Sequence, residues 1–299
     1  MKRSILILLA VFSALASQGQ QLPQFSQYLL NDYVINPATA GVDDYYEAKT
    51  NFRTQWVGIN EAPRTYTLSV NGPLQHEKMG IGGYLFVDRT GPTQRTGLEL
   101  SYSYHVKISN TINLSMAINA GILQYSVAGA EIRLEDENDA VLGQNKMSKT
   151  MPDAGFSFYL YADEFFFGAS APQLLQNKLD FGDGSVKPSG RLVNHYYVMG
   201  GYRYDIDDHF RLEPSFLLRL VKPVPMHYEL SLRGIYDKMI WLGLSYRRNT
   251  AVALLAGYSF NESLSLGYAY DFIQTSINQY SSGTHEIMLS FKVKNKSLE

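Results

Sequence analysis

Along residues 96–107 apolar and polar side chains alternate almost without interruption. Leu98, Leu100, Tyr102, Tyr104 and Val106 fall on one face, and Gly97, Glu99, Ser101, Ser103, His105 and Lys107 on the other. Side chains of a strand point to opposite faces with period two. The stretch therefore predicts a strand with one oily and one wet face, about as long as a tilted strand needs to cross a bilayer. The pattern recurs. Residues 45–56 set Tyr46, Ala48, Thr50, Phe52, Thr54 and Trp56 against Glu47, Lys49, Asn51, Arg53 and Gln55. Further strands are predicted at 65–71, 79–87, 113–122, 154–161, 165–171, 195–204, 210–220, 228–236, 240–247, 252–260, 264–271 and 284–292, fourteen in all. The Gly-rich third strand is the least clear. Pro214 falls on the apolar face of 210–220 and lacks a ladder donor, which predicts a bulge or a local break there.

The connections sort by length. Those at 163, 205–209, 237–238 and 261–263 are short and share one side, whereas 126–152, 172–194 and 272–283 are long and share the other. Outer-membrane barrels have short periplasmic turns and longer extracellular loops, so the predicted fold is all-β: a transmembrane antiparallel β-barrel of about fourteen strands spanning 45–292. A soluble sandwich or propeller also alternates, but its strands average about five to six residues and it has no reason to place every long loop at one end.

The ends complete the organisation. Lys2 and Arg3 precede an apolar run over 5–16 and small residues at Ser17 and Gly19, which predicts a signal peptide over 1–19. Residues 20–44 lack alternation and read as a periplasmic or plug segment, with Phe25, Tyr28 and Leu29 placed to share one face of a short helix ending before Pro37. Residues 293–299 form a tail. Composition agrees: 22 tyrosines supply material for interfacial girdles, and a net charge of -2 with scattered basic residues gives nucleic-acid binding no support. With no cysteine there is neither a disulfide nor a thiolate metal site.

Enzymatic motifs are fragmentary. Gly168-Ala169-Ser170-Ala171-Pro172 lacks the second glycine of a nucleophile elbow, and His76-Glu77 and His285-Glu286 lack the second histidine of a zinc-protease motif. Gly80-Ile81-Gly82-Gly83 lacks the third glycine of a dinucleotide loop. The acidic runs 135–139, 180–183 and 205–208 lack full calcium-loop spacing and read as solvated loops. No catalytic residue, cofactor or metal is predicted. The polar faces say more, because they carry both signs: Glu47, Lys49, Arg53, Glu99, Arg211, Glu213, Arg219, Glu229 and Arg233, with His105, Lys107, Arg203, Arg247 and Asp271. In a barrel with an oily outside they face the lumen, where fourteen strands leave a space that paired charges and an inserted segment could close, or that stays wet with charges unpaired.

Gln24-Phe25-Ser26-Gln27-Tyr28, Asn36-Pro37-Ala38 with Ala40-Gly41, Arg53-Thr54-Gln55-Trp56, Pro63, Tyr268-Ala269-Tyr270-Asp271 and His285-Glu286-Ile287 together resemble the PorP/SprF family of the type IX secretion and gliding machinery of Bacteroidetes. The resemblance covers nearly the whole chain after the predicted signal. It implies a non-enzymatic outer-membrane barrel in contact with outer-membrane lipid. Its implied partners are a type IX-secreted, adhesin-like surface protein, a periplasmic peptidoglycan-associated (OmpA-like) protein and other type IX components. Phe25, Tyr28, Asn36, Pro37 and Gly41 are the expected partner-binding or plug residues. Two other classes remain open: a passive or substrate-specific porin, which requires an open lumen, and a barrel enzyme, which requires a clustered site at the rim.

Overall fold

The computed structural model describes residues 22–74, 78–128, 146–179, 190–222 and 224–294. The expected signal peptide, the run 135–139, His76-Glu77 and the run 180–183 lie outside the described residues. The chain forms a closed barrel of fourteen antiparallel strands, β1 (Tyr45–Thr54), β2 (Arg64–Pro73), β3 (Met79–Thr90), β4 (Thr93–Lys107), β5 (Asn113–Ala128), β6 (Lys146–Tyr161) and β7 (Phe165–Ala171), followed by β8 (His195–Tyr202), β9 (Phe210–Val221), β10 (Val224–Tyr236), β11 (Ile240–Arg247), β12 (Ala251–Ser259), β13 (Leu264–Ile273) and β14 (Thr284–Lys294). Each strand pairs with its sequence neighbours, and β1 closes on β14 from Tyr45 opposite Lys294 to Thr54 opposite His285. Closure removes the free edges that an open sheet would expose to lipid.

Alternation survives as burial. Leu100 and Ile118 are 63% exposed and Leu242 64%, while Ser101, Ser103 and Ser115, one residue or a few away on the other face, are buried. The outer surface is thus apolar at mid-height. Tyr46, Tyr202, Tyr236 and Tyr258 ring it near the short turns, and Phe52, Tyr66, Tyr196, Tyr246 and Phe272 near the long loops. These are the two aromatic girdles of a bilayer-spanning barrel. We call the two rims the turn end and the loop end.

The structure corrects the sequence reading at three places. Pro214 stays in register opposite Leu232 with no bulge, and the only irregularity between β9 and β10 lies between Arg219 and Val221. Of the two expectations, the bulge is absent and the local break is present on the other side, where β8 pairing stops at Gly201 opposite Ser215 and resumes only in the short strand Tyr204–Asp205. Second, β5 and β6 run sixteen residues each and stay paired out to Ala128 opposite Lys146, so the connection is much shorter than 126–152. Alternation fades at Ser126 and Pro152, yet backbone pairing needs no amphipathic face once the strands leave the membrane. Likewise 172–194 folds back through a small hairpin, Lys178–Leu179 against Gly190–Arg191, whose Leu179 packs with Leu192 on Phe86, Leu123 and Met151 inside the loop end.

Third, no α-helix carries Phe25, Tyr28 and Leu29. The segment is irregular up to two 3-10 turns, Asp32–Val34 and Pro37–Thr39. Pro37 opens the second turn instead of following a helix, because its fixed φ and missing donor suit the first position, and the Asn36 side chain caps it by accepting from Ala38 N.

Candidate functional site: the plugged lumen

Residues 22–44 run through the barrel interior from the loop end to the turn end. Leu22 N donates to His195 Nε2 at the loop end of β8, and the segment leaves at Tyr45, where β1 begins. Of the expected partner-binding or plug residues, Phe25, Tyr28, Asn36 and Gly41 are buried and Pro37 nearly so. They face the barrel wall, and of the segment 36–41 it is Thr39 that lines the turn-end cavity.

The wall receives the plug differently on its two sides. Toward β5–β9, Phe25, Tyr28, Ile35 and Ala38 join Ala117, Tyr159, Phe166, Tyr197, Met199 and Leu217 in one apolar cluster. Toward β1 and β9–β14, contact is ionic. Arg53 donates to Asp271 at 2.7 Å and Glu286 at 2.9 Å; Arg247 donates to Asp271 at 3.2 Å and Glu229 at 3.0 Å; Arg219 donates to Glu229 at 3.2 Å. These three arginines and three carboxylates are all at most 9% exposed. Ser26 of the plug sits at their junction. Its hydroxyl donates to Asp271 at 2.6 Å and accepts from Arg53 at 2.8 Å and Arg247 at 3.1 Å. Beside it Ser26 N and Gln27 N donate to the two Glu286 oxygens, and Asn31 continues the chain through Asn51. A buried charge left alone is costly, but here every charge has an opposite partner and the remaining lone pairs take plug or wall donors.

Other plug contacts fix its depth. Ser103 and His105 meet Ala40 O, Ser170 donates to Ile35 O, Tyr33 OH meets Ser101, and Asn36 donates to Phe158 O. Four wall glycines make room for it. A Cβ at Gly80 would overlap Ala40, one at Gly82 the Tyr33 ring, one at Gly168 Asn36, and one at Gly267 Gln27. Gly41, at φ +73°, brings its own backbone against Gly80, where an added Cβ would lie 2.7 Å from the Gly80 Cα. Gly80 and Gly82 are the residues that made the third strand hard to read. Their spacing of two on the lumen face was the available signal for a close-fitting insert.

Sequence reasoning named Glu47, Lys49, Arg53, Glu99, Arg211, Glu213, Arg219, Glu229 and Arg233 for the lumen. The structure gathers Arg53, Arg219 and Glu229 in the central network and puts Glu47 with Lys49 at 2.7 Å, Glu213 with Arg233 at 2.9 Å and Arg211 with Asp205 at 2.6 Å nearer the turn end. Glu99 stands apart, accepting from Asn119 at 2.7 Å instead of from a cation. Lys107 is exposed at the end of β4. Glu286, central here, had been set aside within a rejected protease motif, and Ser26 carried no charge to flag it. Asp207, in the acidic run 205–208, accepts from His209 N and Phe210 N as an ordinary turn cap. Among the described residues no group of three or more His, Asp and Glu could hold a metal.

Below the plug a cavity of about 670 Å³ opens at the turn end, and three smaller ones of about 40, 20 and 10 Å³ lie elsewhere among the described residues.

Residues 17–291 match the family described as type IX secretion system membrane protein PorP/SprF. No curated protein matches the sequence. Among solved structures the chain is similar to a Pseudomonas aeruginosa FadL homologue, with 12% identity, 92% of this chain and 95% of that one covered, and a TM-score of 0.53. It is also similar to the Pseudomonas putida toluene transporter TodX, with 10% identity, 92% and 95% covered, and a TM-score of 0.52. At such identities the likeness is one of fold.

Proposed function

The chain belongs to the type IX secretion system membrane protein PorP/SprF family, and from that premise we propose that this outer-membrane barrel is a plugged, non-catalytic anchor. It holds or helps export a secreted, adhesin-like surface protein through its loop end, and joins a periplasmic peptidoglycan-associated (OmpA-like) protein at its turn end. The observation that carries the reading is the lumen itself. A plug tied on one side by an ionic network and on the other by an apolar cluster leaves no wide aqueous path, which counts against the porin alternative. Loops on a rigid scaffold are where binding surfaces usually lie, and the strand ends Ala128 and Lys146, with Leu179 and Gly190, bring the chain to the loop end on either side of 129–145 and 180–189. Replacing those two stretches by tight turns should release the surface protein into the medium while the barrel still inserts. Retention of every surface partner in crosslinked pull-downs would place the docking site elsewhere.

A further inference from the structure

The turn-end cavity has more to it than the space left under a plug. Its ceiling is the underside of the plug, where Leu29, Leu30 and Val42 stand half-buried beside Asp32. Its volume of about 670 Å³ lies within the range of pockets that enclose a ligand of drug size. The ionisable lining comprises eight carboxylates and six lysines and arginines. Five of the six cations are already engaged: Lys49 and Lys292 by Glu47, Arg203 and Arg233 by Glu213, and Arg211 by Asp205. Only Lys238, at the exposed rim, is outside an ion pair. Asp32, on the cavity lining, accepts no side-chain hydrogen bond and forms no close ion pair among the described residues; Lys49 and Arg203 act on it from a distance, and its backbone carbonyl accepts from Ile35 and Asn36. A ceiling of Leu29, Leu30 and Val42 carrying a carboxylate that makes no hydrogen bond or close ion pair among the described residues, reached past a rim bearing Asp163, Asp207 and Asp208, complements a cation flanked by apolar groups.

We propose that this cavity is the socket for a short extended peptide of the periplasmic partner, carrying a lysine or arginine that pairs with Asp32 between apolar side chains seated on Leu29, Leu30 and Val42. The inference rests on the reading that the turn end meets a periplasmic protein, and it supplies the chemistry of that contact. A small diamine matches the charge but not the apolar ceiling, so the peptide is the occupant the cavity favours. The plug then serves twice, closing the lumen and forming one wall of the socket.

The chain has two tryptophans, Trp56 near the loop end and Trp241 on the cavity wall. Trp56→Phe therefore leaves a single emitter at the site. The full-length protein in micelles should be titrated with Ala-Leu-Lys-Leu-Ala, with Ala-Leu-Glu-Leu-Ala and with cadaverine, following Trp241 emission. The lysine peptide should shift the emission saturably and bind at least about tenfold more tightly than the glutamate peptide, the change expected for one charge-assisted contact. Asp32→Asn should remove most of that difference. Equal binding of the two peptides, which needs no variant to observe, or binding of cadaverine as tight as that of the lysine peptide, would overturn the socket. A photo-crosslinker at Lys238 separates the two claims in cells. Capture of a periplasmic protein that persists unchanged in Asp32→Asn keeps the turn-end contact and rejects the socket, whereas no capture at all removes the reading beneath it.

Discussion

The plug touches the two sides of its barrel in different ways, and the difference assigns them different tasks. Against β5–β9 it is held by Phe25, Tyr28, Ile35 and Ala38, whose apolar contacts favour burial without demanding one depth. Against β1 and β9–β14 it is held at Ser26 and Gln27 by groups that must meet Arg53, Arg247, Asp271 and Glu286 within hydrogen-bond distance or leave charges stranded. The apolar contacts supply adhesion, and register comes from the ionic side together with the hydrogen bonds at Ile35, Asn36 and Ala40. Substitutions on the two sides should therefore fail differently.

Glu286→Ala should have the largest effect. It leaves the three buried arginines of the network facing two carboxylates and removes the acceptor of Ser26 N, Gln27 N and Asn51, and breaking a buried pair in this way costs about 3–5 kcal/mol. The urea midpoint in micelles should fall, and current should begin to pass through protein that still inserts. Gly80→Ala tests shape instead of charge. Its methyl would overlap the Ala40 backbone, which has no flexible end to yield, and overpacking of this kind costs about 1–3 kcal/mol. Protease sensitivity of the plug should rise while the fourteen-stranded circular-dichroism signature is kept.

On the apolar side, Ile35→Val trims one buried methylene from the cluster and should cost about 0.5–1.5 kcal/mol, with no current. A loss comparable to that of Glu286→Ala would mean that the apolar contacts also set register.

Exposed charges at the turn end give the smallest effect. Asp237 lies 2.5 Å from His209 and, by accepting its hydrogen bond, holds the imidazole above its ordinary range. The pair's contribution is present in full below the ordinary histidine pKa and fades as pH rises through the raised value. An NMR titration of His209 should show the upward displacement, and Asp237→Asn should abolish it with no change in conductance.

Much of this architecture was legible from period-two alternation, because in a membrane-spanning strand the solvent on each face selects the side chain. Glu47, Arg53 and Glu229 could therefore be placed in the lumen without knowing a single partner. Pairing was not legible. Which carboxylate meets Arg53 depends on the register of β1 against β14 and on where Ser26 sits between them, and neither leaves a mark in local sequence. Pro214 announced a break but not which ladder carries it. Its missing donor concerned the neighbouring strand at Tyr202–Tyr204 and not the pairing with β10. The ends of β5 and β6 were hidden because there outward Gln124, Ser148 and Thr150 are polar while inward Leu123 and Met151 pack with Leu179 and Leu192, so the apolar-out, polar-in alternation is gone.

The central claim is that the plug closes the barrel, and planar-bilayer recording tests it most directly by comparing the intact protein with one lacking residues 22–41. The intact protein should show little steady conductance and the deletion should open large, long-lived channels. Stable channels of equal size from both would contradict the account.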